Sequence, residues 1–249
     1  IVTLYISIGQ EIQKTFYIHP YVSFLSVIMN YLISELLNDK EIKIIKNTLK
    51  ENNQSWEDGK KTAGPQAAQV KNNLQLNRNS EISKVLSNRI INKMLASPLI
   101  KSFTIPKNIH GIMFTKSSKG MKYGRHIDNP YMSSGRSDLS FTIFLNEKNN
   151  YQGGELIIEN INSESKFKLN SGEILIYPST YLHSVEEIVE GERLVCVGWI
   201  ESYIKSIEER EYLFDIDAGA RSLLSKHGRS DDLDLIFKSY SNLLRLLGD

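Results

Sequence analysis

Cysteine is almost absent from this chain: Cys196 is the single residue of its type among 249. One thiol excludes an internal disulfide and any zinc cage built on cysteines, and it suits a reducing compartment such as the cytoplasm. A bias of charge is also missing. Thirty Lys and Arg stand against 29 Asp and Glu, and no basic cluster forms a stripe, so nucleic acid has no electrostatic footprint here. Long apolar runs are lacking too. The longest uncharged stretch, Phe16 to Ser34, is broken by His19, Pro20 and Asn30, short of the roughly twenty predominantly apolar residues a membrane span needs. A charged leader and a small-residue cleavage site, the marks of a signal peptide, are not seen either. Residues 1–28 therefore read as a non-native or upstream extension, dispensable for folding and activity, with Met29 as the expected start.

What is present is an apolar content of 41%, enough for one large domain, or a domain with flanking helices. Tyr31 to Leu37 reads as a short apolar strand. Asn38 and Asp39 can cap a helix carrying Ile42, Ile45 and Leu49. Lys60 to Gln75 has little apolar periodicity and reads as a polar loop; only a family resemblance, and no local pattern, would place Gln66, Gln69, Asn72 and Asn73 along a substrate groove. Ser80 opens a second helix with the stripe Ile82, Val85, Leu86, Ile90 and Met94, ending before Pro98. From Ile109 the pattern changes to short alternating runs with glycines between or beside them, which argues for an antiparallel sandwich or jelly roll. Past Ser202 the helical period returns. Ser230 can cap a helix bearing Leu233, Ile236, Phe237, Tyr240, Leu243, Leu244 and Leu247, expected to cover the barrel, with a dimer interface as the lesser reading.

The chemistry concentrates at Tyr123 to Asp128, which reads Tyr-Gly-Arg-His-Ile-Asp. In an extended segment His126 and Asp128 project from one face while Ile127 points to the other, so one metal ion can take a ligand from each. Of the five histidines, His183 suits the third place, because it follows an apolar run and opens another strand-like segment. Two histidines and a carboxylate make the facial triad of non-haem Fe(II) oxygenases, which leaves three metal positions open. Arg193 lies ten residues further on, beyond the turn signal Glu190-Gly191-Glu192. A hairpin there would bring its guanidinium near the metal, where it can hold a dicarboxylate in a bidentate pair. Alternation puts Arg193, Val195, Val197 and Trp199 on one face, which makes Trp199 a pocket wall or core residue and Cys196 a packing residue. Ser140 and Thr142 share an interior-facing side of their strand. Arg125 should point away from the metal, and His110 and His227 read as structural.

These segments together resemble the bacterial PKHD-type hydroxylases, relatives of prolyl and lysyl hydroxylases. The resemblance rests on Asp-Gly-Lys-Lys-Thr-Ala-Gly-Pro-Gln-Ala-Ala-Gln-Val-Lys-Asn-Asn (58 to 73), Tyr-Gly-Arg-His-Ile-Asp (123 to 128) and Arg-Ser-Asp-Leu-Ser (136 to 140). It continues through Tyr-Gln-Gly-Gly-Glu-Leu (151 to 156), Ile-Tyr-Pro-Ser-Thr-Tyr-Leu-His (176 to 183) and Phe-Asp-Ile-Asp (214 to 217), and covers roughly residues 29 to 249.

The resemblance implies an α+β fold, the double-stranded β-helix or cupin-like jelly roll, with flanking N-terminal and C-terminal helices. It implies a support region over 29–107, a dioxygenase core over 108–201 and a helical region over 202–249. It further implies that Fe(II), bound by His126, Asp128 and His183, uses O2 and 2-oxoglutarate to hydroxylate a prime substrate, releasing succinate and CO2. Arg193 would meet the far carboxylate of 2-oxoglutarate, and Tyr123 stands where related hydroxylases often place a tyrosine that bonds this group or simply packs. L-ascorbate is the family's reductant for oxidised iron, and no residue marks its site. The prime substrate, a peptidyl residue or a free small molecule, and the oligomeric state stay open, and no membrane partner is expected. A non-catalytic cupin-like sensor of a metal or a dicarboxylate is the alternative from another class, and a zinc hydrolase a third, which has no need of Arg193.

Overall fold

The computed structural model describes residues 2–8, 10–16, 31–159 and 163–249, with side chains from residue 31 onward. The chain forms β1 (Val2–Ile8), β2 (Gln10–Phe16), β3 (Leu32–Glu35), α1 (Asp39–Glu51), β4 (Trp56–Asp58), α2 (Pro65–Val70), β5 (Lys71–Asn72) and β6 (Leu74–Leu76). There follow α3 (Glu81–Ala96), α4 (Pro98–Thr104), β7 (Pro106–Ser118), β8 (Lys122–His126), β9 (Tyr131–Met132), β10 (Gly135–Arg136) and β11 (Leu139–Phe144). The last elements are β12 (Tyr151–Gly153), β13 (Leu156–Glu159), β14 (Glu164–Phe167), β15 (Glu173–Pro178), β16 (His183–Val185), β17 (Ile188–Ser202), α5 (Ile207–His227) and α6 (Asp231–Leu247). The expected start at Met29 lies outside the described residues.

Two antiparallel sheets carry the fold. The larger has eight strands in the order β3, β15, β11, β17, β7, β6, β4, with β12 pairing on β17, and the smaller runs β14, β13, β16, β8, β5. Period-two alternation decides which side chains fill which layer. On β11, Phe141 and Ile143 join the core formed with Ile45, Ile90, Met94 and Ile100 of the helices, whereas Phe144 joins Leu156, Ile158 and Val195 between the sheets. The large sheet is thus covered by helices on one face and by the small sheet on the other, the arrangement of a double-stranded β-helix with helical support.

Local chemistry sets the helix limits. Asn38 accepts from the Glu41 amide at 3.1 Å while Glu41 accepts from the Asn38 amide at 3.0 Å, a complete capping box for α1. Ser80 accepts from the Ser83 amide at the start of α3. The buried stripe of α3 is Ser83, Leu86, Ile90 and Met94; Val85, expected in it, is exposed, since it falls outside the i, i+4 row those residues make. Pro98 does more than end this helix. It opens α4, where a missing N–H costs nothing, and Ser97 closes one helix and caps the next.

Three expectations change here. The segment 60–75 is not a polar loop: it forms a 3₁₀ turn, α2, β5 and most of β6, supported by pairing with β7 and β8 rather than by its own apolar pattern. No hairpin joins the strands of His183 and Arg193. Gly191, with φ of 78°, sits inside the long β17 and faces Tyr151 of β12, so β16 stays in the small sheet while β17 crosses to the large one. Finally, α6 packs on α5 and not over the barrel. Its sole buried residue is Leu233, and α5 itself docks on α4 through the edge contact of Phe103 and Phe214, with ring centroids 5.6 Å apart. Asp217 of α5 adds an anchor by accepting from Ser102 at 2.6 Å. Among the described residues, no helix is long and apolar enough to cross a membrane.

One irregularity bears on the site. Opposite Val197 to Trp199, β7 carries an extra residue beside Gly111, whose φ is 65°, a bulge that glycine adopts without strain. A Cβ there would meet the Trp199 ring at 2.4 Å. Gly111→Ala should therefore lower stability by about 1–3 kcal/mol from backbone strain alone and shift the Trp199 fluorescence. Gly219→Ala, in α5 with open space around it, should raise stability by up to about 1 kcal/mol. Urea unfolding of both variants checks the contrast.

Candidate active site

His126 closes β8 and His183 opens β16, and the antiparallel register of these strands sets the two residues opposite each other. Their ring centroids are 4.2 Å apart. Asp128 lies just past β8, and one ligand atom from each of His126, Asp128 and His183 falls within 4.8 Å of the others. Each imidazole Nδ1 faces a backbone carbonyl two residues before it, Gly124 O at 2.8 Å and Tyr181 O at 3.0 Å. A carbonyl can only accept, so Nδ1 carries the proton and Nε2 keeps its lone pair for a metal. Burial, reinforced by His183, pushes the His126 pKa down to about 4, which keeps the ring neutral.

The carboxylate is fixed from the large sheet. Ser140 donates to Asp128 Oδ2 at 2.6 Å, and Ser179 completes the relay with a 2.7 Å bond to Ser140. Two imidazoles and one oriented carboxylate, converging without a fourth protein ligand among the described residues, fit a divalent metal with open positions. A closed structural zinc set would need another donor.

Arg193 reaches the same cavity from β17, on the opposite sheet. It is 4% exposed, lies over the Phe144 ring at 5.5 Å and has no acidic partner within ion-pair distance among the described residues; its Nε is unbonded. Burial lowers its pKa, and the facing hydroxyls of Tyr151 and Tyr177 oppose that shift. Tyr123 stacks on His126 at 3.7 Å between centroids, and burial raises its pKa, so its hydroxyl stays protonated. Trp199 lines the cavity, as its alternation with Arg193 requires. Arg125 turns out to an exposed bidentate pair with Glu159. His110 is held by Ser134 and the Arg136 carbonyl, and His227 is exposed in the last turn of α5.

The cavity is open, about 760 Å³ in volume, and bordered by Gln66, Lys71 and Asn73 from the segment read as a loop. Sequence reasoning passed over Lys71, Tyr151 and Ser179. Lys71 shares a strand face with Asn73, which was the available signal; Tyr151 and Ser179 are brought in by pairing that no local pattern reveals.

A double-stranded β-helix with this two-histidine, one-carboxylate cluster is the frame of a non-haem iron oxygenase. The 2OG-Fe(II) oxygenase superfamily matches residues 112–201. A PKHD-type hydroxylase of Prochlorococcus marinus strain AS9601 is 74% identical over 221 residues, covering 89% of this chain and all of that protein. Another from strain MIT 9312 is 72% identical with the same coverage. Among solved structures, a prolyl-4-hydroxylase of Pseudomonas putida superposes with a TM-score of 0.50 at 17% identity, covering 70% of this chain and 92% of that one. The chain belongs to the PKHD-type hydroxylases and is a 2-oxoglutarate-dependent dioxygenase.

Because Ser140 orients Asp128, Ser140→Ala should weaken divalent metal binding by about 10- to 100-fold with little change in Tm. Anaerobic Mn(II) titration followed by electron paramagnetic resonance checks this.

Proposed function

We propose that His126, Asp128 and His183 hold the Fe(II) of this enzyme and that Arg193 anchors the far carboxylate of 2-oxoglutarate. The observation that carries the reading is the unpaired guanidinium of Arg193. An uncompensated buried charge is costly, and a planar fork without a carboxylate partner among the described residues suits a dicarboxylate cosubstrate. The neutral Tyr123 hydroxyl is assigned to the same pocket as a donor, and Tyr151, whose buried hydroxyl faces the guanidinium, is assigned beside Arg193.

The bound metal supplies oxygen activation, coupled to oxidative decarboxylation of 2-oxoglutarate, with one oxygen atom leaving in succinate and the other entering a C–H bond of the prime substrate. The chain's own groups do the rest. Gly124 and Tyr181 carbonyls fix the imidazole tautomers, Ser179 and Ser140 hold the carboxylate, and Trp199 and Leu156 line the cavity. The fork of Arg193 fixes where the cosubstrate points, which is a positioning effect. Neutral His126 loses no proton when the metal enters, so protonation of that ring does not limit loading near neutral pH.

Kinship with prolyl hydroxylases supports ascorbate as the reductant that restores oxidised iron, and the single buried Cys196 supports a reducing, cytoplasmic setting. The match over 112–201 supports a catalytic core at 108–201, between a support region at 29–107 and a helical region at 202–249.

Arg193→Ala should weaken 2-oxoglutarate binding by about a hundredfold or more, the equivalent of roughly 3–5 kcal/mol for breaking a buried pair. Arg193→Lys should fall between it and the wild type. Succinate formation against 2-oxoglutarate concentration, with iron content measured in each protein, tests the assignment; an unchanged apparent affinity in the alanine variant would overturn it.

A further inference from the structure

The oxygenase reading accounts for one of two buried cations in the cavity. The other is Lys71, on β5, 4% exposed, with its ammonium 5.2 Å from the Tyr123 ring centroid and no hydrogen bond or ion pair among the described residues. Asp128 and Asp58 attract it from a distance. Neither serves as its partner: Asp128 faces the metal position, and Asp58 caps the Lys60 amide. Arg78, at the exposed rim of the same cavity, is close enough to repel Lys71. Trp199 borders the same space, and its indole Nε1 is buried without an acceptor.

An unpaired buried ammonium destabilises the fold that contains it. Its presence without a protein partner points to an anionic ligand, as for Arg193, yet the two cations sit in different surroundings. Arg193 faces Tyr151, Tyr177 and Glu155, whereas Lys71 faces Asp128, Arg78 and Asp58. The charge balance separates them further. The two charges of Fe(II) and that of Arg193 offset Asp128 and both carboxylates of 2-oxoglutarate. Arg125 is already paired with Glu159. Lys71 and Arg78 are left over, and Asp128 is the one acidic residue among the described residues that border the cavity.

We propose that Lys71, with Arg78 at the rim, forms a second anion site that holds a carboxylate or phosphate group of the prime substrate. The inference rests on the oxygenase reading above and deepens it: the molecule hydroxylated here carries a negative charge that Lys71 meets.

The test uses the full chain loaded anaerobically with Fe(II) and saturating 2-oxoglutarate. Benzoate, benzamide and inorganic sulfate are titrated by calorimetry into wild type, Lys71→Met and Arg78→Gln. Methionine keeps the aliphatic stem and removes an unpaired charge, so Lys71→Met should melt no lower than wild type. The exposed Arg78 provides a second variant should Lys71→Met fail to fold. Benzoate should bind wild type at least tenfold more tightly than benzamide and should compete with sulfate. Lys71→Met should lose this preference, and Arg78→Gln should lose part of it. The tighter of benzoate and sulfate identifies the group as carboxylate or phosphate-like. Equal binding of benzoate and benzamide, a preference that survives in Lys71→Met, or no binding of benzoate and sulfate would overturn the proposal. So would an equal fall in 2-oxoglutarate affinity in Lys71→Met, which would assign the lysine to the cosubstrate. Succinate formation by wild type is measured separately: its absence with anion binding intact would count against the oxygenase reading and leave the anion site standing.

Discussion

The placement of His126 against His183 across an antiparallel pair is the constraint on which the site depends. Cross-strand neighbours are held by main-chain bonds, so the distance between these imidazoles is set by the register of β8 and β16 and not by flexible side chains. A slip of either strand by one residue would turn its own imidazole to the opposite face and part the pair. The same strand end delivers Asp128, and a third constraint comes from the facing sheet, where Ser140 fixes the carboxylate. Three possible donor side chains from two segments of one small sheet are thereby brought to one point beside the cavity.

The large sheet contributes charge and shape instead of ligands. Its long strand β17 threads from the edge near β12 through the centre of the sheet, and alternation places Arg193 and Trp199 on the cavity side while Leu194 and Cys196 pack toward the helices. The bulge at Gly111 leaves room for the indole. The cavity therefore has metal donors on one wall and a buried cation on the other, with a further cation, Lys71, on the edge strand β5. Such a distribution is expensive for an empty protein and sensible for one that works on a chelating dicarboxylate and a second anion.

Much of this could be read from the residues. The spacing of His126 and Asp128, the strand-opening place of His183 and the alternation of Arg193 with Trp199 are local patterns, and the structure brings these side chains to one cavity. Capping residues Asn38, Ser80 and Ser230 likewise announced their helices, because the bonds that define a cap lie within four residues. What was misread is non-local. Residues 60–75 owe their order to pairing with β7 and β8, and Gly191 resembles a turn glycine until β12 is seen against it. The docking of α6 on α5, away from the barrel, depends on a surface of α5 with weak apolar patterning. Lys71 escaped notice because a lysine in a polar stretch reads as solvated, and burial is decided by the sheet above it.

The central claim is that one Fe(II) held by His126, Asp128 and His183 is chelated by 2-oxoglutarate in this cavity. Anaerobic addition of Fe(II) and then 2-oxoglutarate, followed by visible absorption, tests it most directly, because a 2-oxo acid chelated to Fe(II) through its keto oxygen and the adjacent carboxylate gives a charge-transfer band that neither component gives alone. The account predicts a band that saturates at one metal per chain and fails to form in His183→Ala. Full Fe(II) binding without any band in the wild type, or an undiminished band in His183→Ala, would contradict it.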